Sequence, residues 1–279
     1  MKKINVPTLI AISALSWILV NITHEFFGHA VFGILSGLKL NAFSTSTAFF
    51  NMDWNSYINQ HGYTTLRLFL LGGVLMNFVT GVIALLILKF NKPLSSQMHL
   101  FLWLFSSFSF IIIVMNLISV TFIGGGDLPQ IISTFNNQEN LKIIVLIIGF
   151  ITMIAGYIII QKNFMPEIKG HRSVLISITL IPVITAIIIQ TLSLLKSPFA
   201  YLPPSQNHLL ASVLAYFHFL LWALIVNVIP LSSKKNSLEK VVTEKSIIWI
   251  AISLIFIVFY IFILGPGIGS FEGHSSLNG

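Results

Sequence analysis

A polar cluster near the N-terminus contains His24, Glu25 and His29, in an apolar stretch that has no other charged side chain. Glu25 is the only acidic residue among the first 52 positions. A carboxylate and two imidazoles inside an apolar helix are costly unless they are paired or bind a metal. Zinc hydrolysis needs imidazole ligands and a nearby carboxylate that takes a proton from water. The cluster therefore predicts a zinc site with His24 and His29 as ligands and Glu25 as general base.

The spacing of the two histidines differs by one residue from the H-E-x-x-H pattern of zinc peptidases. Residues five apart are separated by about 500° in an α-helix, so the two rings would point roughly 140° apart. A π-bulge at this turn would bring them onto one face, and Gly28 would ease the distortion. Two alternatives stay open. Glu25 and His29 could be the co-facial ligands, or the three side chains could form a polar network or line an ion path.

The composition is that of a membrane protein. Hydrophobic residues make up 56% of the chain and charged residues 8%, with a mean hydropathy of +0.92. Soluble domains carry about 25% charged residues. There is no cysteine, which excludes thiolate zinc sites and cysteine nucleophiles. The net charge of +7 comes from cations in short loops between apolar runs, so we expect a lipid bilayer and no nucleic acid as partner.

The apolar runs predict an all-α polytopic membrane protein with a small β-hairpin-like insert after the first helix. About 20 residues are needed to cross the bilayer. Seven segments are long enough, near 7–36, 64–89, 98–123, 142–162, 173–196, 208–231 and 246–264. Residues 37–62 are rich in Ser, Thr, Asn and Phe and suit a hairpin. We therefore expect a membrane core over 1–140, additional helices over 141–264, and a flexible tail over 265–279.

The cations predict the orientation of these helices. Eleven of the fifteen lysines and arginines lie in loops on the N-terminal side. The opposite side holds Lys39, Arg67, Lys142 and Lys196. Because cytoplasmic loops are enriched in Lys and Arg, we expect a cytoplasmic N-terminus and an exported C-terminus. The predicted location is the cytoplasmic membrane of a bacterium.

Asp127 is the best candidate for a third metal ligand. It is the only acidic residue between Asp53 and Glu139, and it ends a Gly-Gly-Gly-Asp loop at 124–127. Under the predicted topology, this loop and the second half of the first helix lie toward the same side of the bilayer. The glycines would let the backbone enter a crowded site. Alternatively, Asp127 serves only as the N-cap of the helix that Pro129 begins.

Three segments resemble the site-2 protease family of intramembrane zinc metalloproteases. The segment from Thr23 to Ala30 is similar to the family's H-E-x-x-H-A motif. The run from Gly72 to Asn77 is similar to the A-G-P-x-x-N opening of a following helix. Asn116, followed by the loop at 124–127, is similar to the N-x-x-P…D-G motif that supplies the aspartate ligand. The resemblance covers about residues 15–135, and the four C-terminal helices match no family pattern.

The resemblance implies a Zn²⁺ cofactor held by His24, His29 and Asp127, with Glu25 activating water. It places Asn77 and Asn116 beside the site as substrate-binding residues. The chain departs from the family in the extra residue before His29, in Val74 for proline, and in the longer spacing from Asn116 to Asp127. The implied function is hydrolysis of peptide bonds in membrane-embedded or membrane-adjacent proteins. The alternatives are a transporter, a non-proteolytic metal-binding protein, or an inactive relative of the proteases.

Overall fold

Helices dominate the fold, because a backbone in lipid must satisfy its hydrogen bonds within its own segment. The computed structural model describes residues 4–50, 54–91, 94–121, 127–164, 172–197, 208–228 and 244–270. The helices are α1 (Val6–Leu35), α2 (Trp54–His61), α3 (Tyr63–Phe90), α4 (Ser96–Met115), α5 (Asp127–Ser133), α6 (Gln138–Phe164), α7 (Arg172–Leu194), α8 (His208–Val228) and α9 (Ile247–Phe259). Within the described residues, three helical stretches have π geometry: Thr23–Ala30 within α1, Asn116–Val120 after α4, and Tyr260–Leu264 after α9.

Six of the described helices are long and apolar enough to cross a membrane, which is compatible with a multi-pass membrane protein. They are α1, α3, α4, α6, α7 and α9 with their π extensions. The predicted span at 208–231 corresponds to α8, where Tyr216–Val228 forms a shorter apolar helix. The mostly helical architecture is therefore confirmed, whereas the seventh span, the membrane type and the cytoplasmic N-terminus remain predictions.

A small antiparallel sheet lies beyond the end of α1. Its strands are β1 (Leu40–Phe43), β2 (Ala48–Phe50) and β3 (Ile268–Gly269), in the order β2-β1-β3. The hairpin pairs Phe43 with Ala48, and the register shifts between Leu40 and Ala42. The predicted insert at 37–62 thus contains a hairpin, but its later part differs from the prediction, because Trp54–His61 is helical.

The start of the tail also differs from the prediction of a flexible segment over 265–279. Ile268 pairs with Phe43 and Gly269 with Ala42. Gly269 has a φ of 100°, and a Cβ there would collide with the Asn41 carbonyl oxygen. The sequence offered no strand pattern this short, so the pairing was missed. Residues 271–279 lie outside the described part of the chain.

The core joins the two predicted parts of the chain. Trp17 of α1 contacts the rings of Phe108 in α4 and Phe219 in α8, at centroid distances of 5.7 and 5.1 Å. Gln190 of α7 accepts hydrogen bonds from Trp17 at 3.2 Å and from Tyr260 at 2.7 Å. Helices from 141–264 therefore pack directly on the helix that carries the polar cluster.

Candidate metal centre

The polar cluster lies on a π-helical turn of α1. Residues Thr23–Ala30 are π-helical, between α-helical stretches that end at Ile22 and begin at Val31. A π-helix bonds residue i to i+5, so residues five apart lie one above the other. The extra residue in the motif is accommodated in this way, and both His24 and His29 are buried on one face.

Three side-chain atoms converge beside this turn. The Nε2 atoms of His24 and His29 are 3.4 Å apart. An Asp127 carboxylate oxygen lies 3.6 Å from His24 Nε2 and 3.3 Å from His29 Nε2. Ligand bonds of about 2.05 Å in a tetrahedral zinc site place the donor atoms about 3.3 Å apart. The spacing and the chemistry of the three donors therefore fit a zinc ion, with one coordination position left open.

The tautomer of His29 favours metal binding. Its Nδ1 lies 3.0 Å from the backbone oxygen of Phe69 in α3. Because a carbonyl can only accept, Nδ1 carries the proton and donates it. The lone pair of a neutral His29 is then on Nε2, which faces Asp127. A hydrogen bond from the other ring nitrogen is the usual support of a metal-bound histidine.

His24 is held by Asn77, two turns further along α3. The Asn77 side-chain nitrogen lies 3.1 Å from His24 Nδ1, and the amide oxygen is buried without a hydrogen-bond partner among the described residues. Turning the amide over lets Nδ1–H donate to this oxygen. His24 then also directs an Nε2 lone pair at the site. Asn77 thus contacts a candidate ligand, while its predicted substrate-binding role stays a prediction.

Glycines let α3 approach the π turn. A Cβ on Gly28 would lie within 2.8 Å of the Gly72 carbonyl carbon and collide with the Gly73 backbone. A Cβ on Gly73 would lie 2.6 Å from His24 Cε1 and 2.6 Å from His29 Nε2. Small residues allow such close helix contacts in membranes. Gly73 therefore leaves the space that the two imidazoles fill.

Asp127 is the first residue of α5, a short helix that packs beside the site. Its apolar residues Leu128 and Ile131 are buried against Phe69 and Leu70 of α3. Burial raises the pKa of the Asp127 carboxyl, but the positive charge that His29 carries when it is protonated and no metal is bound lowers this pKa by more, to well below its usual range. The carboxylate is therefore ionised, as a metal ligand must be. The preceding glycines at 124–126 lie outside the described residues.

Glu25 lies on the same turn and is partly accessible. It is near enough for electrostatic interaction with His24, His29 and Asp127. Phe26 and Phe27, which follow it, are 38% and 46% exposed. The Phe26 ring also contacts Phe43 of β1, at a centroid distance of 5.5 Å. Glu25 thus lies on the same turn as His24 and His29, with a partly accessible side chain.

Asn116 lies at the start of the second π segment, where its side chain donates to the Ile112 carbonyl at 3.0 Å. Its predicted role in substrate binding stays a prediction. Sequence reasoning missed the contributions of Phe69 and Gly73 to the site. It also missed the contacts of Arg67 with Thr134 at the end of α5, although Arg67 is one of only two arginines and lies within an apolar helix.

Comparisons with protein-family models, with curated proteins and with solved structures found no match for this chain.

Proposed function

We propose that this chain is an intramembrane zinc metalloprotease that hydrolyses peptide bonds of membrane-embedded or membrane-adjacent proteins. The observation that supports this most is the convergence of His24, His29 and Asp127 beside Glu25. A hydrolytic zinc site needs imidazole or carboxylate ligands and a further carboxylate that is free to act as a base. This cluster has two imidazoles and one carboxylate as ligands, and Glu25 as the free carboxylate. A purely structural metal site gives no role to Glu25.

Each residue has a distinct part in this mechanism. His24, His29 and Asp127 would hold the ion, which when bound acidifies water and polarises a carbonyl group. Glu25 accepts the proton of the attacking water and then gives it to the leaving amine. Asn77 and the Phe69 carbonyl keep the two imidazoles in the orientation that binding requires.

The position of the site suits a substrate that is partly in the membrane. His29 lies six residues before the end of α1, which is roughly 9 Å along a helix axis. Water from the nearby membrane surface can therefore reach a site within the span. A transmembrane substrate must unwind locally to expose a carbonyl group, because helical carbonyls are already hydrogen-bonded.

The sheet offers a place for such an unwound segment. β2 lies at the edge of the three described strands, since the order is β2-β1-β3. Its Phe50 contacts the ring of Phe69, and the Phe69 carbonyl accepts the hydrogen bond from His29. An extended substrate added to the outer edge of β2 would thus lie close to the ligands.

The test separates metal binding from catalysis. We expect purified wild-type protein to contain about one zinc ion per chain, His29→Ala to lose it, and Glu25→Gln to retain it. New N-termini in membrane fractions of cells that make the wild type should be absent from cells that make Glu25→Gln. Glu139→Gln is the matched control, because Glu139 is exposed and pairs only with Lys142 in the described structure.

Two results would contradict the proposal in different ways. If the wild-type protein binds no zinc, the proposed metal site is wrong, and a metal-free polar network is favoured. If the wild type binds zinc but cells that make it show the same N-termini as cells that make Glu25→Gln, the proposed protease activity is wrong. An inactive relative or a structural metal site is then favoured.

A further inference from the structure

Arg67 is attached to the far end of the helix that carries Asp127. Its Nε donates to the Thr134 hydroxyl at 2.8 Å, and its Nη2 donates to the Thr134 carbonyl at 2.9 Å. Its guanidinium also lies 3.8 Å from the centroid of the Phe135 ring. Thr134 directly follows α5, so one arginine of α3 holds the C-terminal end of that helix by three contacts.

The two ends of α5 are thus fixed by different groups. Asp127, at the first position, faces the two imidazoles, and Thr134, just after the last position, is bonded to Arg67. The helix between them is seven residues long, about 10 Å. Leu128, Ile131 and Ile132 are buried along one side of it. Apolar contacts hold this side against α3 but are not directional, so the arginine bonds set the position of α5 along its own axis.

All three candidate ligands are therefore positioned by a single helix. From α3, the Phe69 carbonyl accepts from His29, Asn77 contacts His24, and Arg67 holds the helix of Asp127. The first two contacts act on ligands within a continuous span. Asp127 comes from a short separate helix, so its distance to the imidazoles depends most on how that helix is held.

We propose that Arg67 is the positioning residue for the third metal ligand, and that it acts through Thr134 and α5 to hold Asp127 against His24 and His29. A lysine cannot replace Arg67 fully, because only the planar guanidinium group bonds two acceptors at once and stacks on an aromatic ring. The inference rests on the metal site of the proposed function and does not depend on proteolysis.

A double-mutant cycle tests this role. The full-length chain in detergent is loaded with zinc, and the rate of zinc transfer to an excess of a chromogenic chelator is measured. Groups that support metal ligands contribute about 10- to 100-fold to metal affinity, so we expect Arg67→Gln to release zinc about tenfold faster than the wild type. Arg67→Lys should lie between the two, and Lys142→Gln, which removes an exposed ion pair, should match the wild type.

The Asp127→Asn background distinguishes positioning from general stability. If Arg67 acts through Asp127, adding Arg67→Gln to Asp127→Asn should change zinc release by less than about twofold. Thr134→Val removes the hydroxyl that accepts from Arg67 and leaves the backbone carbonyl as the second acceptor. It should therefore accelerate zinc release by less than Arg67→Gln does. This variant also serves if Arg67→Gln does not fold.

The outcomes separate this inference from the proposed function. If Arg67→Gln and Thr134→Val both release zinc at the wild-type rate, Arg67 does not position Asp127. The zinc site and the protease activity would be unaffected by this result. The same acceleration by Arg67→Gln in both backgrounds would also overturn the role of Arg67, because the effect would not pass through Asp127. A wild type that binds no zinc would overturn both proposals, whereas a zinc-binding wild type without protease activity would overturn only the protease.

Discussion

The Nε2 atoms of His24 and His29 lie 3.4 Å apart, although the two residues are five positions apart on one helix. In an α-helix their rings would diverge by roughly 140°. The π turn at Thr23–Ala30 removes this divergence, and it is paired with a backbone contact between Gly28 and Gly73 that no larger residue would permit. The unusual spacing and the close helix contact therefore belong to one arrangement.

Gly73→Ala should weaken zinc binding. The added Cβ would lie 2.6 Å from both His24 Cε1 and His29 Nε2. Overpacking of this kind costs about 1–3 kcal/mol, which corresponds to an affinity loss of about 5- to 150-fold. Zinc titration of the purified variant measures it. Gly81→Ala is the control on the same helix, since its Cβ would approach Ser109 at 3.2 Å, away from the ligands. Equal zinc affinity in the two variants would contradict the packing described for Gly73.

Asn77→Ala should weaken zinc binding by about tenfold, because His24 would lose the group that orients its ring. Asn77→Asp keeps an acceptor for Nδ1–H and should bind zinc more tightly than Asn77→Ala does. Competition with a chelator of known affinity gives the values. The exposed Asn163→Ala serves as the control, since its amide bonds only its own helix in the described structure. Stronger binding by Asn77→Ala than by Asn77→Asp would rule out the accepting role.

Removal of zinc should lower the thermal unfolding midpoint of the wild type. A ligand at 100 times its dissociation constant stabilises the folded state by about 2.7 kcal/mol. Excess chelator should remove this stabilisation, and added zinc should restore it. His29→Ala should unfold at the same temperature with and without chelator. A scan of intrinsic fluorescence in detergent follows the transition, and a chelator effect of equal size in His29→Ala would indicate a different site.

Thr45→Val should destabilise the fold by about 1–3 kcal/mol, because it leaves a buried hydroxyl without its acceptor. The Ser193 hydroxyl donates to Thr45 Oγ1 at 2.6 Å, and both residues are buried. This bond attaches the hairpin turn to the end of α7. Thr47→Val, in the same turn but partly exposed, should leave the unfolding midpoint nearly unchanged. Equal midpoints for the two variants would show that the turn is not anchored by this bond.

The sequence predicted the parts of the site that lie within one segment. The cost of a carboxylate and imidazoles in an apolar helix singled out His24, Glu25 and His29, and their spacing raised the question of a π-bulge. Asp127 was a prediction from topology, because it follows an apolar segment expected to end on the same side. The structure brings Asp127 to the two histidines.

Contacts between helices were harder to predict, because they depend on rotation and close approach that no local pattern encodes. Phe69 contributes a backbone carbonyl, and any residue type could supply it. Gly73 was noted only as part of a motif, while its actual contact is with two imidazoles. The helix at Trp54–His61 was missed, because its polar composition favoured a loop or strand.

The pairing of β3 with β1 has a consequence for biosynthesis. β1 follows α1, whereas β3 follows α9, so all the other described helices lie between the two partners in sequence. Contacts this distant in sequence form late in folding. While the chain is being synthesised helix by helix, the hairpin beside the candidate metal site therefore lacks its third strand. The sheet is completed only after α9 has been synthesised, so this region matures later than the helices that lie between the two strands.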